Sequence, residues 1–148
     1  MKLQVKALSP KIGTSIPFPY YATKGAAALD LHACIDAPVT ILAGAQVVIP
    51  TGIAVAIPEH YVGIMAIRSS MGVRKGISLA NSIGVIDADY RGPLGVGLRN
   101  NKADPYTVQP GDRIAQLLVV PVACPEIEIV EELPATERGE GGFGSTGA

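Results

Sequence analysis

The chain has 148 residues, of which 17 are Gly and 12 Pro, about a fifth of the whole against a usual ~12 % for the pair. A bundle of long helices is excluded, because each interior Gly or Pro costs a helix about 1 or 3 kcal/mol. Disorder is excluded by 48 % hydrophobic against 17 % charged residues, and a net charge of −1 leaves no overall basic field for a nucleic-acid backbone.

These limits predict one compact all-β domain of short strands and tight turns, long enough to bury roughly 68–70 % of its unfolded surface. In chain order, Leu3, Val5 and Ala7 alternate with Lys2, Gln4 and Lys6, the period of a strand with one apolar face. The apolar segment Ala26–Ala33 carries Asp30, a charge that needs a partner if its strand is buried. After the turn at Ala43-Gly44, the run Val47-Val48-Ile49 suits a strand covered on both faces. Ile53, Val55 and Ile57 alternate after Pro50-Thr51-Gly52. One short helical turn is expected near Ser69–Lys75, opened by a capping serine. Leu94, Val96 and Leu98 alternate before a turn at Asn100-Asn101. Beyond Pro110-Gly111-Asp112, the strand Ile114–Val122 contains Leu117-Leu118-Val119-Val120; Arg113 and Gln116 in this segment pose the same question as Asp30. A last alternation pairs Ile127 and Ile129 with Glu126 and Glu128. Short strands at this spacing predict a sandwich, barrel or jelly roll.

The final residues, Arg138–Ala148, read RGEGGFGSTGA. Such a Gly-rich terminus is expected to be mobile in the free protein, yet Arg, Phe, Ser and Thr are more than a spacer requires. Gly139, Gly141 and Gly144 match G-x-G-x-x-G, and Gly144-Ser145-Thr146 comes near a P-loop. Both motifs need a preceding strand and a following helix, which four remaining residues cannot supply, and the P-loop Lys is missing. Successive glycine amides with Arg, Ser and Thr donors nonetheless suit an anion.

Elsewhere, Asp87 and Asp89 stand two apart in Gly84-Val85-Ile86-Asp87-Ala88-Asp89-Tyr90-Arg91-Gly92, as a carboxylate pair for water or metal chemistry or as two solvated turn residues. Arg68-Ser69-Ser70 is either an anion corner or an ordinary helix cap. His32 and His60 have no ligating or triad spacing. Cys34 and Cys124 form no metal motif and read as reduced, buried hydrophobes. No leader and no membrane-spanning run is visible, so a soluble, cytoplasmic protein is expected.

Taken in order, five segments resemble the motifs of the trimeric dUTPases: Ala27–Ala33, Arg68–Gly72, Gly84–Gly92, Pro110–Leu117 and Arg138–Gly147. The resemblance implies a jelly-roll-like subunit assembled as a homotrimer with active sites shared between subunits. It implies hydrolysis of dUTP to dUMP and pyrophosphate with Mg2+, which supplies dUMP and limits uracil incorporation into DNA. By motif position, Asp87 resembles the carboxylate that activates water at the α-phosphorus. Asn81 and the hairpin backbone Gly84–Gly95, including Val85, Ile86 and Gly95, resemble the uracil reader, whose close wall excludes a thymine methyl. Tyr90 resembles the ring that packs on deoxyribose, and Arg68, Ser69, Ser70 and Gln116 resemble phosphate ligands. Asp30 matches the aspartate that acts near the metal through water or structural contacts. In an arm of residues 138–148, following a β domain of residues 1–137, Phe143 is similar to the residue stacking on uracil. Arg138, Ser145 and Thr146 are similar to those closing on the γ-phosphate.

Two positions depart from the family pattern: Ser70 replaces the usual Gly, and Ile67 replaces the usual Pro. Arg-Ser-Ser is similar to the related dCTP deaminases, but Gly97 stands where those enzymes carry a catalytic Glu. The alternatives to a dUTPase are therefore a dCTP-processing relative or a catalytically silent binding module.

Overall fold

A computed structural model describes residues 1–142. Its strands are β1 (Gln4–Ala7), β2 (Leu29–His32), β3 (Val39–Ile41), β4 (Gln46–Pro50), β5 (Ile53–Ala56) and β6 (Tyr61–Ile67). After a single π-helical turn at Ser70–Arg74 come β7 (Ile77–Leu79), β8 (Gly84–Ile86), β9 (Gly95–Asn100), β10 (Tyr106–Val108) and β11 (Arg113–Pro121).

The sheets are antiparallel, with strand orders β2-β11-β6-β8, β4-β9-β7, β1-β5 and β3-β10. Most neighbours are distant in sequence, and the chain crosses repeatedly from one layer to the other, which makes the expected jelly-roll-like β fold. One core lies between the layers, centred on Leu31, Ile41, Ile49, Val96, Leu98, Ile114 and Leu117. Among the described residues no helix is long and apolar enough to cross a membrane.

The structure departs from the sequence expectations at several places. Ser69 has helical backbone angles and makes no side-chain cap; the turn is closed by backbone bonds, Lys75 N–H to Ser70 at 3.3 Å and Gly76 N–H to Gly72 at 3.1 Å. Cys34 is half-buried and Cys124 exposed, both as free thiols. The run Val47–Ile49 is not covered on both faces, since Val48 is exposed. Ile127 and Ile129 belong to no strand and are 88 % and 95 % exposed. Among the described residues their alternation finds no pairing partner.

The strands β8 and β9 do not pair with each other. β8 lies against β6, with Gly63 opposite Ile86 and Met65 opposite Gly84, whereas β9 lies between β4 and β7. The expected hairpin Gly84–Gly95 is therefore a crossover between sheets. Gly84 is required at its start, because a Cβ there would stand 2.8 Å from the Met65 Cβ.

Candidate active site

The space left between β8 and the start of β9 is a recess of about 170 Å3, lined by Asn81, Gly84, Val85, Ile86, Tyr90 and Gly95, among others. Its far wall has unspent backbone groups. Leu94 uses its N–H on the Ile53 carbonyl (2.9 Å) and its carbonyl on the Thr51 N–H (3.0 Å), both on the β4–β5 side. Gly95 sits opposite Pro50. In an antiparallel ladder alternate residues turn their polar groups to opposite sides, so Gly95 N–H and C=O face the recess. This is a slot for a planar group carrying its own donor and acceptor.

The turn after β8 carries Asp87, Asp89 and Tyr90. Tyr90 N–H donates to the Asp87 carbonyl (3.2 Å), and its hydroxyl donates to the Pro93 carbonyl (3.1 Å), laying the ring over Gly92, where a Cβ would collide with it. Arg91, which the sequence reading did not single out, donates to the carbonyls of Ala88 (2.6 Å) and Tyr90 (2.9 Å) and ties the turn together. Asp87 and Asp89 are exposed and line one cleft of about 640 Å3 with Glu59, His60 and Cys124. Asn81 lies on the opposite lip of the recess, exposed, its carbonyl bonded by Ile83 N–H at 2.7 Å.

A second polar centre forms at the other end of β6. Asp30 is buried on β2, and its two carboxylate oxygens are taken by Arg68 Nε (2.9 Å) and Arg113 Nη1 (3.1 Å). The partner that Asp30 required is thus supplied twice. Gln116 stands in register with Asp30 on one side and Ala66 on the other, on the face that carries Arg68. Ser69 and Ser70 follow at the entry to the π turn. One carboxylate between two guanidiniums leaves a net positive corner suited to an anion.

The two centres do not meet within one chain. Asp87 is next to Ile86, which pairs with Gly63, while Arg68 lies five residues further along the chain, one past the end of β6. At ~3.3 Å per residue the separation along the strand is roughly 16 Å. Between them runs an apolar face in which Val85 and Ile64, Ile64 and Leu118, and Val62 and Val120 are paired, with Val85 61 % exposed.

Arg138 is exposed and donates from Nε to the carbonyl of Gly141 at 2.8 Å. Phe143, Ser145 and Thr146 lie outside the described residues. Gly97, half-buried on the recess floor, carries no carboxylate; a Cβ there would stand 3.3 Å from that of Ala80.

No group of three or more His, Cys, Asp or Glu side chains among the described residues is arranged to hold a metal ion. Both Asp30 oxygens are already held by arginines, and a hard cation prefers phosphate oxygens and water to such a donor set.

A slot for a planar group at one end and a cationic corner at the other thus stand on one all-β scaffold. A family model described as dUTPase matches residues 14–147. The deoxyuridine 5'-triphosphate nucleotidohydrolases of Glaesserella parasuis and Pasteurella multocida are 51 % and 50 % identical over 147 residues, covering 99 % of this chain and 97 % of each relative. The solved dUTPase of Staphylococcus bacteriophage 80alpha with dUPNHPP superposes with a TM-score of 0.88 at 32 % identity, over 99 % of both chains. A mutant dUTPase of phage phi11 of S. aureus, solved for the coordination of a structural Mg(II) ion, superposes with a TM-score of 0.80 at 28 % identity, over 91 % of this chain and 100 % of that one. The chain belongs to the dUTPase family.

Proposed function

We propose that the protein is a dUTP diphosphatase that converts dUTP and water to dUMP and pyrophosphate in the cytoplasm, with Mg2+ bound chiefly to the triphosphate. The observation that carries this reading is the recess itself: a glycine-walled slot that presents the Gly95 backbone, beside a turn bearing Asp87 and Tyr90. Uracil is planar, with alternating donors and acceptors that such a backbone can pair with. Val85 and Ile86 flank the ring, Asn81 closes the opposite lip, and Tyr90 packs on the deoxyribose where a 2′-hydroxyl would crowd it.

Asp87 takes a proton from the attacking water as its oxygen bonds to the α-phosphorus. The bond from that phosphorus to the bridging oxygen breaks, and pyrophosphate leaves with the electron pair. Arg68, Ser69, Ser70 and Gln116 hold phosphate oxygens, with Arg113 added to that set through its shared hold on Asp30. Positioning and charge neutralisation supply most of the acceleration in such transfers. Bound Mg2+ would supply neutralisation of the triphosphate charge, and Asp30 would be the residue that contacts it through water. Residues 138–148 act as an arm over the bound nucleotide, with Phe143 on the base and Arg138, Ser145 and Thr146 at the γ-phosphate; stacking of this kind contributes about 1–3 kcal/mol.

The working unit is a homotrimer with sites shared between subunits. The roughly 16 Å between the Asp87 end and the Arg68 end of β6 supports this, since one α-phosphorus cannot reach both in a single chain. So do the bare apolar face joining them and the unpaired, exposed Ile127 and Ile129. The deciding experiment incubates the pure protein with dUTP, dCTP, dTTP and UTP plus Mg2+ and follows pyrophosphate. Release from dUTP alone is expected; no release from dUTP refutes the reading.

A further inference from the structure

The walls of the recess belong to different sheets, so no ladder of hydrogen bonds fixes its width. The near wall, β8, is held by β6. The far wall enters at Leu94, one residue before β9 begins; its N–H is held by the Ile53 carbonyl, and its own carbonyl by Thr51. The Thr51 side chain is buried, and its hydroxyl donates to the Leu94 carbonyl at 2.7 Å while its N–H donates to the same oxygen at 3.0 Å. Both lone pairs of one carbonyl are thereby fixed by one residue.

The peptide between Leu94 and Gly95 is planar and trans, so its N–H points opposite to its C=O. Pulling the Leu94 carbonyl back towards Thr51 therefore aims the Gly95 N–H forward into the recess. The anchor is itself stiff. Cys34 N–H holds the Pro50 carbonyl (2.8 Å), Leu8 N–H holds the Gly52 carbonyl (2.8 Å), and at Gly52, with φ +72°, a Cβ would stand 2.5 Å from the Cys34 sulfur.

We propose that Thr51 is a specificity-determining positioning residue: by clamping the Leu94 carbonyl it fixes the width of the recess and the aim of the Gly95 amide, and so sets how strictly the pocket refuses a 5-methylated pyrimidine. The inference rests on the reading of the recess as a uracil slot. Without the hydroxyl, the Leu94–Gly95 peptide keeps only the Thr51 N–H and loses its fixed angle, which turns the amide off the base and loosens the wall against which a methyl group is refused.

The test is the ratio of kcat/KM for dUTP to kcat/KM for dTTP, taken on a single preparation so that the fraction of folded enzyme cancels. Thr51→Val keeps the shape and loses the hydroxyl; the ratio should fall about tenfold, the size of one lost hydrogen bond. The change should appear mainly as a higher KM for dUTP and a lower one for dTTP. Thr51→Ser, which keeps the hydroxyl, should restore the wild-type ratio. If Thr51→Val does not fold, Thr51→Cys carries the same expectation, because a thiol donates only weakly. A wild-type ratio in Thr51→Val or Thr51→Cys, or a collapsed ratio in Thr51→Ser, overturns the proposal. Wild-type enzyme that does not prefer dUTP over dTTP instead refutes the uracil slot, so the two failures are distinct.

Discussion

Arg68, just past the end of β6, and Arg113, at the start of β11, meet on a single carboxylate, Asp30, one on each oxygen at 2.9 and 3.1 Å. Asp30 is buried, so removing its charge leaves two guanidiniums facing each other without compensation. Asp30→Asn should destabilise the fold by about 2 kcal/mol, mostly through Arg68, because Arg113 has 44 % of its side chain exposed and is screened by solvent. The KM for dUTP should rise as Arg68 loses its fixed pose. Urea denaturation and steady-state kinetics measure the two effects. Wild-type values in both would show that the pair of contacts is idle.

Asp87 is exposed just past the end of β8, and its carboxylate makes no hydrogen bond or ion pair among the described residues. Asp87→Asn should therefore leave stability unchanged and the affinity for a non-hydrolysable dUTP analogue close to wild type. Turnover should fall about 100- to 10,000-fold, the usual contribution of a general base. Calorimetry with the analogue and single-turnover kinetics with dUTP separate binding from chemistry. Loss of binding with normal turnover of the bound fraction would contradict the role.

Gly84 passes so close to Met65 that a methyl group has no room. Gly84→Ala should shift β8 against β6, costing about 1–3 kcal/mol as an overpacked contact. Since Gly84 also lines the recess, the KM for dUTP should rise several-fold beyond what the fraction unfolded accounts for. A variant with wild-type Tm and KM would mean that the two strands have slack.

His32 stacks on Tyr20 with ring centroids 6.2 Å apart. Burial holds its imidazole below the ordinary 6.5; nearby Asp30 pulls the other way, and Arg113 and Arg68 add to the lowering. The unfolded chain thus binds the proton more readily than the folded one. Stability from this group is fully present above pH 6.5, declines as the pH falls below it, and levels off once the folded form also titrates. Between about pH 7 and 5 the urea midpoint of wild type should fall more steeply than that of His32→Gln. Parallel curves would exclude the effect.

Some of this was legible in the sequence for plain reasons. The alternation Leu94, Val96, Leu98 is a strand with a buried face, and all three side chains are buried. The isolated charge of Asp30 announced a partner, though not which one, because Arg68 and Arg113 reach it only through the β2-β11-β6 order. Other readings failed where local pattern and tertiary setting part company. Ile127 and Ile129 have the period of a strand but no pairing partner among the described residues. Gly84–Gly95 has the spacing of a hairpin, yet its two strands join different sheets. Thr51 gave no signal: a threonine before a glycine looks like any turn until the Leu94 carbonyl is seen above it.

The distance between the two ends of β6 also bears on inheritance. If each pocket borrows Asp87 from one copy and Arg68 from another, a defective chain does not fail alone. It carries its fault into a pocket completed by a sound neighbour, but because each pocket takes one Asp87 and one Arg68, a lesion at one end silences only as many pockets as there are defective chains. By the same rule, two chains broken at opposite ends, one at Asp87 and one at Arg68, repair each other in part when they assemble together. A lesion at either end of that strand is complementable by one at the other.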